Sequence, residues 1–275
     1  MKKLLTDLHT HTTFSHDGRD DMQVMLETAY QKELAFYGIS EHFDYDYDES
    51  KMDEQTYAST RNGDPEEYFH AARHLQEDYE GAMNVLVGAE FGYSKNEKVQ
   101  GRYALTYEKY RPDYVINSVH STGGVDYYRV KSFQDKARTY KEYLALVRAS
   151  LDATYPYDIV GHIGYIARYV PFANREFGIE EFGAEIDDIF KTIIQKDKIL
   201  EINSSSKIEG QLTLPNLSLV QRYYALGGRK ISFGSDAHFK ERIADKREEV
   251  MIALKEIGFS YLTVPCKGEH IKVEI

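Results

Sequence analysis

A chain of 275 residues with 42% hydrophobic side chains is long enough for one sizeable α/β barrel. Its 34 basic and 45 acidic residues leave a formal charge of −11, which argues against sequence-independent nucleic-acid binding and would repel an anionic substrate unless metal ions reverse the sign locally. The single cysteine, Cys266, excludes an internal disulfide and a thiolate metal cluster. No stretch approaches the roughly 18 apolar residues of a membrane span, so a cytoplasmic chain without signal peptide or membrane segment is expected.

Leu4 to Leu8 reads as a first buried strand and runs into D-L-H-T-H-T-T-F-S-H-D-G, residues 7–18. On an extended segment the two imidazoles of His9-x-His11 leave the same face, an arrangement suited to a metal, although a His-rich surface loop that binds nothing has the same look. A helix is expected from Asp21 to Leu34, capped by Asp20 or Asp21, and a second strand from Phe36 to Ser40. Residues 43–63 read as an acidic loop. Asp64-Pro65-Glu66-Glu67 then opens a helix that ends before Gly81. Strands follow at Asn84–Ala89, Tyr114–Val119, Asp158–Gly161, Ile199–Ile202 and Lys230–Gly234. Between them come one helix before Arg111, a Gly-containing loop at 121–129, and helices at Ser132–Ala153, Ile179–Gln195 and Leu217–Leu226. A last helix spans Ala244–Ile257, and Phe259–Ile275 reads as a hairpin turning at Gly268.

Strand alternates with helix seven times, which implies parallel strands joined by right-handed crossovers. A closed or nearly closed barrel within one domain, residues 1–275, accounts for the repetition. The alternative, a doubly wound open sheet, lacks its Gly-rich phosphate turn. Barrels carry their chemistry at the C-terminal ends of the strands. There lie His9 and His11, His42, Glu90, His120, His162, and the pair Asp236 and His238. With His16 added, seven of the ten histidines belong to this set. The donors are nitrogen and carboxylate oxygen, which suits zinc, manganese or iron, and nine side chains exceed what one ion needs. Asp7 is either an acceptor for a ligand imidazole or a carboxylate buried in the barrel. His70 and His74 lack the glutamate of a zinc-protease helix, Ala71 standing in its place, and read as surface residues, as does His270.

These motifs, D-L-H-T-H-T-x-F-S-H-D-G, then S-E-H at 40–42, G-A-E at 88–90, H-S at 120–121, G-H-I at 161–163 and G-S-D-A-H at 234–238, resemble in content and order the PHP (polymerase and histidinol phosphatase) superfamily. The chain length, G-H-I-G-Y-I-A-R and the terminal hairpin resemble its histidinol-phosphate phosphatases. The resemblance implies a distorted (β/α)7 TIM-like barrel with three divalent ions. His9, His11, Glu90 and Asp236 would hold one; Glu90, His120 and His162 a second; His16, His42 and His238 the third. It further implies that Arg168 grips a substrate phosphate, whereas the residues alone also allow a solvated loop arginine. Asp236 and His238 are near enough in sequence to be considered as the proton donor to the leaving alkoxide, with water as the alternative. The implied reaction is hydrolysis of L-histidinol phosphate, a small-molecule phosphate monoester, with no nucleic acid or membrane as partner. The alternatives are another phosphoesterase of this superfamily, acting on phosphotyrosine or nucleotides, and a non-catalytic metal-binding module. The organic end of the substrate is expected to meet the loops at 43–63, 91–111 and 164–178.

Overall fold

The computed structural model describes residues 5–46 and 63–275. In chain order the elements are β1 (Leu5–Asp7), α1 (Met22–Gln31), β2 (Leu34–Ile39), β3 (His42–Phe43), α2 (Pro65–Asp78), β4 (Asn84–Gly92), α3 (Glu97–Tyr110), β5 (Tyr114–Ser118), β6 (Ser121–Thr122) and β7 (Val125–Asp126). There follow α4 (Lys136–Ser150), β8 (Ile159–Val160), α5 (Ile179–Gln195), β9 (Ile199–Asn203), α6 (Leu217–Ala225), β10 (Ile231–Gly234), α7 (Arg247–Ile257), β11 (Tyr261–Cys266) and β12 (Glu269–Glu274).

Seven strands pair in parallel in the order β1-β2-β4-β5-β8-β9-β10. Backbone bonds from Leu8 N to Phe233 O (3.0 Å), Asp236 N to His9 O (2.8 Å) and His11 N to Ala237 O (2.8 Å) join the first strand to the last. The strands thus form the distorted seven-stranded TIM-like barrel, with β3 added beside the end of β4. Among the described residues no helix is long and apolar enough to cross a membrane.

The barrel interior is layered by the two-residue period of the strands. Leu86, Gly88 and Glu90 share one face of β4, as Ile199 and Glu201 share one face of β9, so each strand carries an apolar residue at one end of the barrel and an acid at the other. Leu8, Phe36, Leu86, Tyr114, Ile116, Ile159 and Ile199 pack with Val264 and Val273 of the β11–β12 hairpin, which plugs the N-terminal mouth. Tyr114 lies across the axis and donates its hydroxyl to Leu8 O at 2.6 Å. A Cβ on Gly88 would stand 2.4 Å from its Cζ, so only glycine leaves room for the ring. The outer faces of the strands and the helices form a second, larger aromatic and aliphatic core.

Several boundaries differ from the expectations. The first helix stops at Gln31, because Glu33 turns into the left-handed region (φ 59°) and Leu34 already pairs with Leu5 as β2. The helix expected from Ser132 starts at Lys136, where Asp135 caps it and accepts from Arg138 N. The last helix begins at Arg247 instead of Ala244, since Ala244 and Lys246 both adopt positive φ. The glycine loop at 121–129 folds as the β6–β7 hairpin followed by a 3-10 turn. The terminal hairpin turns through Lys267 and Gly268, both at positive φ as a type I′ turn requires. Of the acidic loop expected at 43–63, residues 47–62 lie outside the described residues.

Candidate metal centre

The C-terminal ends of the strands bring the expected donors to one place around Glu90. Its Oε2 lies 2.7 Å from His42 Nδ1, 3.3 Å from His9 Nε2 and 3.6 Å from His11 Nε2. Its Oε1 lies 3.1 Å from His120 Nε2 and 3.0 Å from His162 Nε2, and accepts from Ser118 Oγ at 2.6 Å. Asp236 Oδ1 is 3.6 Å from both His11 Nε2 and His238 Nδ1. Three sets of donor atoms fall within 4.8 Å of one another: His9, His11 and Glu90; His42, Glu90 and His120; and His11, His42 and His238. His16 enters none of them; its ring centroid stands 5.7 Å from that of His42. Asp236 is held at φ 54° between the backbone bonds that close the barrel, a strained conformation of the kind that clusters at functional sites.

The rings are oriented from outside. His9 Nδ1 lies 2.5 Å from Glu201 Oε1, and His120 Nδ1 lies 2.9 Å from Asp44 Oδ1. His11 Nδ1 meets Ser15 Oγ at 3.3 Å, and that hydroxyl donates to Glu41 Oε2. His238 Nδ1 meets the backbone oxygen of Asp236 at 3.0 Å. At His9, His11 and His120 an acceptor on Nδ1 favours the tautomer that turns Nε2 inward as a metal donor. His9 Nε2 and His11 Nε2 are buried without a hydrogen bond, whereas His42 Nδ1 faces Glu90 Oε2 at 2.7 Å and His238 Nε2 faces Asp17 Oδ2 at 3.0 Å. Unsatisfied buried atoms of this kind are costly in water-excluded surroundings. Their convergence, and a donor set of imidazole and carboxylate alone, fit divalent zinc, manganese or iron.

Charge follows from the same packing. Burial by itself would push the Glu90 carboxyl up, but His9, His120 and His42 hold it well below the usual range. Burial opposes charge on His42, and Glu90 overrides it, raising the ring to about 9. Burial pushes Glu41 up to about 7 despite the hydrogen bonds from Ser15 and Thr12.

Asp7 resolves in favour of the buried carboxylate: it accepts from the backbone N–H of Ser235 (2.9 Å) and Ala244 (2.8 Å), and among the described residues its hydrogen-bond donors are backbone amides. Glu201, Asp44 and Glu41, which do support the rings, were not singled out by the sequence reading. Glu201 leaves a trace in the sequence, as an acid inside the apolar run Ile199-Leu200-Glu201-Ile202. Arg168 is buried on a 3-10 turn, so the solvated alternative falls; its Nη2 donates to Asp236 Oδ2 at 3.0 Å and to Ser205 O, while its Nε has no partner. His70 and His74 are exposed on α2, and His270 is exposed beside Lys230.

A cavity of about 340 Å³ opens beside the cluster and is lined by His16, Asp17, His42, Asp44, His120, Asp126, Tyr128, Tyr165 and Tyr169. Of the loops expected to meet the organic end of the substrate, 43–63 contributes Asp44, 164–178 contributes Tyr165 and Tyr169, and 91–111 contributes none. Asp126 and Tyr128, from the hairpin segment, take that place.

A seven-stranded parallel barrel with imidazoles and carboxylates gathered at its C-terminal rim defines a class of α/β barrels built to hold metal ions. The model of the PHP domain matches residues 7–205, and the chain belongs to that family. The chain is 28% identical over 243 residues to a protein of Clostridium acetobutylicum named probable histidinol-phosphatase, covering 87% of this chain and 89% of that one. It is 26% identical to the histidinol-phosphatase of Lactococcus lactis, covering 95% and 94%. The crystal structure of the Lactococcus lactis histidinol phosphate phosphatase, complexed with zinc, L-histidinol and phosphate, superposes with a TM-score of 0.81 at 24% identity over 98% of this chain and 99% of that one. That likeness is one of fold.

Proposed function

We propose that the chain, as a single PHP-type barrel, is a metal-dependent phosphomonoesterase that hydrolyses L-histidinol phosphate to L-histidinol and phosphate in histidine biosynthesis. The observation that carries the reading is the convergence of five buried or half-buried imidazoles, His9, His11, His42, His120 and His162, on the Glu90 carboxylate, near a buried arginine whose Nε is unpartnered. The curated relatives named histidinol-phosphatases support the choice of substrate.

In this reading three ions, zinc, manganese or iron, are held by His9, His11, Glu90 and Asp236; by Glu90, His120 and His162; and by His16, His42 and His238. Such ions supply Lewis acidity toward phosphoryl oxygens and an activated water near neutral pH. The chain's own part is to bind and orient. Arg168 presents Nε and its remaining guanidinium hydrogens to the phosphate, while Asp236 and Ser205 O hold the fork in place. This local positive charge outweighs the screened net charge of the surface. Tyr165, Tyr169, Tyr128 and Asp126 line the space that takes the amino-alcohol end of the substrate. Asp236 and His238 are the candidates to give the leaving alkoxide its proton, with water as the alternative. A cytoplasmic location belongs to the same reading, supported by the single thiol.

The test is phosphate release by metal-loaded protein. Turnover of L-histidinol phosphate far above that of phosphotyrosine and nucleotides is expected. Equal rates on all three would leave only a general phosphoesterase. Fewer than two ions per chain together with no turnover would favour the non-catalytic metal module.

A further inference from the structure

We infer that Glu201 is a positioning residue that couples two of the ion positions, so that loss of its charge weakens metal binding at both. The inference rests on the metal-centre reading and is independent of the substrate. Glu201 sits in the middle of β9 with its side chain 1% exposed, and its two oxygens serve two ligands from different strands. Oε1 accepts from His9 Nδ1 at 2.5 Å, and Oε2 accepts from the backbone N–H of His162 at 2.5 Å. His9 and His162 belong to separate ions in the proposed assignment, and their ring centroids lie 5.5 Å apart with the planes inclined by 29°. Asn203 Nδ2 adds a longer contact to Oε1 at 3.3 Å.

The surroundings fit a carboxylate at this position. A Cβ at Gly234 would stand 2.3 Å from Glu201 Oε1 and 2.6 Å from His9 Cβ, so the neighbouring strand leaves open the space that the carboxylate–imidazole pair occupies. The three protein groups facing Glu201, His9 Nδ1, the His162 N–H and Asn203 Nδ2, are donors, and only a carboxylate accepts at both ends. A glutamine in its place accepts at one end and confronts an N–H with an NH₂ at the other. Asp44, by contrast, faces His120 Nδ1 at 2.9 Å and His42 Nδ1 at 3.9 Å, and neither ring belongs to the ion position of His9.

Glu201→Gln, Asp44→Asn and the wild-type chain are compared by stepwise zinc or manganese titration and by metal content per chain, with the melting temperature of the metal-free proteins as control. Expected is a 10–100-fold weakening at two positions in Glu201→Gln, with the third retained, while Asp44→Asn leaves the position of His9 at wild-type affinity; the metal-free melting temperature of Glu201→Gln falls by the cost of a buried N–H left facing an NH₂. Wild-type affinity at every position in Glu201→Gln, or weakening at one position only, overturns the inference while leaving the metal centre standing. Wild-type protein that takes up fewer than two ions overturns the metal centre itself. Should Glu201→Gln fail to fold, the wild-type chain decides. During stepwise loading, nitrogen-15 NMR should show the His9 ring N–H and the His162 amide shifting together, and independent shifts overturn the coupling.

Discussion

Arg168 and Asp236, 68 positions apart in the chain, meet at 3.0 Å between Nη2 and Oδ2 with both side chains buried. A buried guanidinium needs a countercharge, and this one borrows a carboxylate that also faces His11 and His238. Arg168→Ala should therefore lower kcat/KM by about 10–150-fold, the loss of one charged hydrogen bond of about 1.5–3 kcal/mol. Metal content should be unchanged. Arg168→Lys restores the charge without the fork and should recover only part of the rate. Steady-state kinetics with metal analysis check this, and loss of metal in Arg168→Ala would show that Arg168 serves the ions instead of the phosphate.

Chelation should lower the melting temperature, since ions that bind only the folded chain add about 2.7 kcal/mol each at a hundredfold excess over Kd. His16→Ala should empty one ion position and His9→Ala a different one. Calorimetry and metal counts on the two variants read this, and loss of the same ion from both would refute the division.

Asp113 is a staple remote from the ions. Its buried carboxylate accepts from Arg73 Nη1, Gln76 Nε2 and the backbone of Val87, each at 2.8 Å. Asp113→Ala leaves these donors without their acceptor and should cost about 2–4 kcal/mol in urea unfolding, with activity retained in the fraction that stays folded.

Gly88→Ala places a methyl into the Tyr114 ring and should destabilise by about 1–3 kcal/mol. Combined with Tyr114→Leu, which vacates that space, its cost should shrink; simple additivity would mean that the ring is not the obstacle.

Burial raises the Asp46 carboxyl to about 7 from its ordinary 3.8, against the hydrogen bond from Ser121. The folded chain therefore binds a proton that the unfolded chain has released. The stability tied to this group is full below about pH 4 and is lost as pH rises toward 7. Asp46→Asn should remove that slope, so the stability difference between variant and wild type should grow over this window when followed by denaturant unfolding at several pH values.

The residues at the rim were legible in the linear chain. His9, His11, His42, Glu90, His120, His162, Asp236 and His238 each follow an apolar strand, and the two-residue period with a parallel barrel sends strand ends to a common rim. The helix starts at Asp21 and Asp64 were legible too, because caps are local hydrogen bonds. Helix boundaries near Glu33 and Ala244 were not, since positive φ at a non-glycine residue leaves no compositional mark.

By itself, then, the sequence determined which side chains stand at the rim, because secondary-structure period and strand order are properties of neighbours along the chain. Only the tertiary structure decided what stands behind them. Glu201 reaches His9 across 192 positions, and Asp44 reaches His120 across 76. Asp7, which the sequence left undecided, turns to the backbone of Ser235 and Ala244 instead of to an imidazole. Which acceptor faces which ring depends on how strands distant in sequence are set side by side, and the barrel settles that only when it closes.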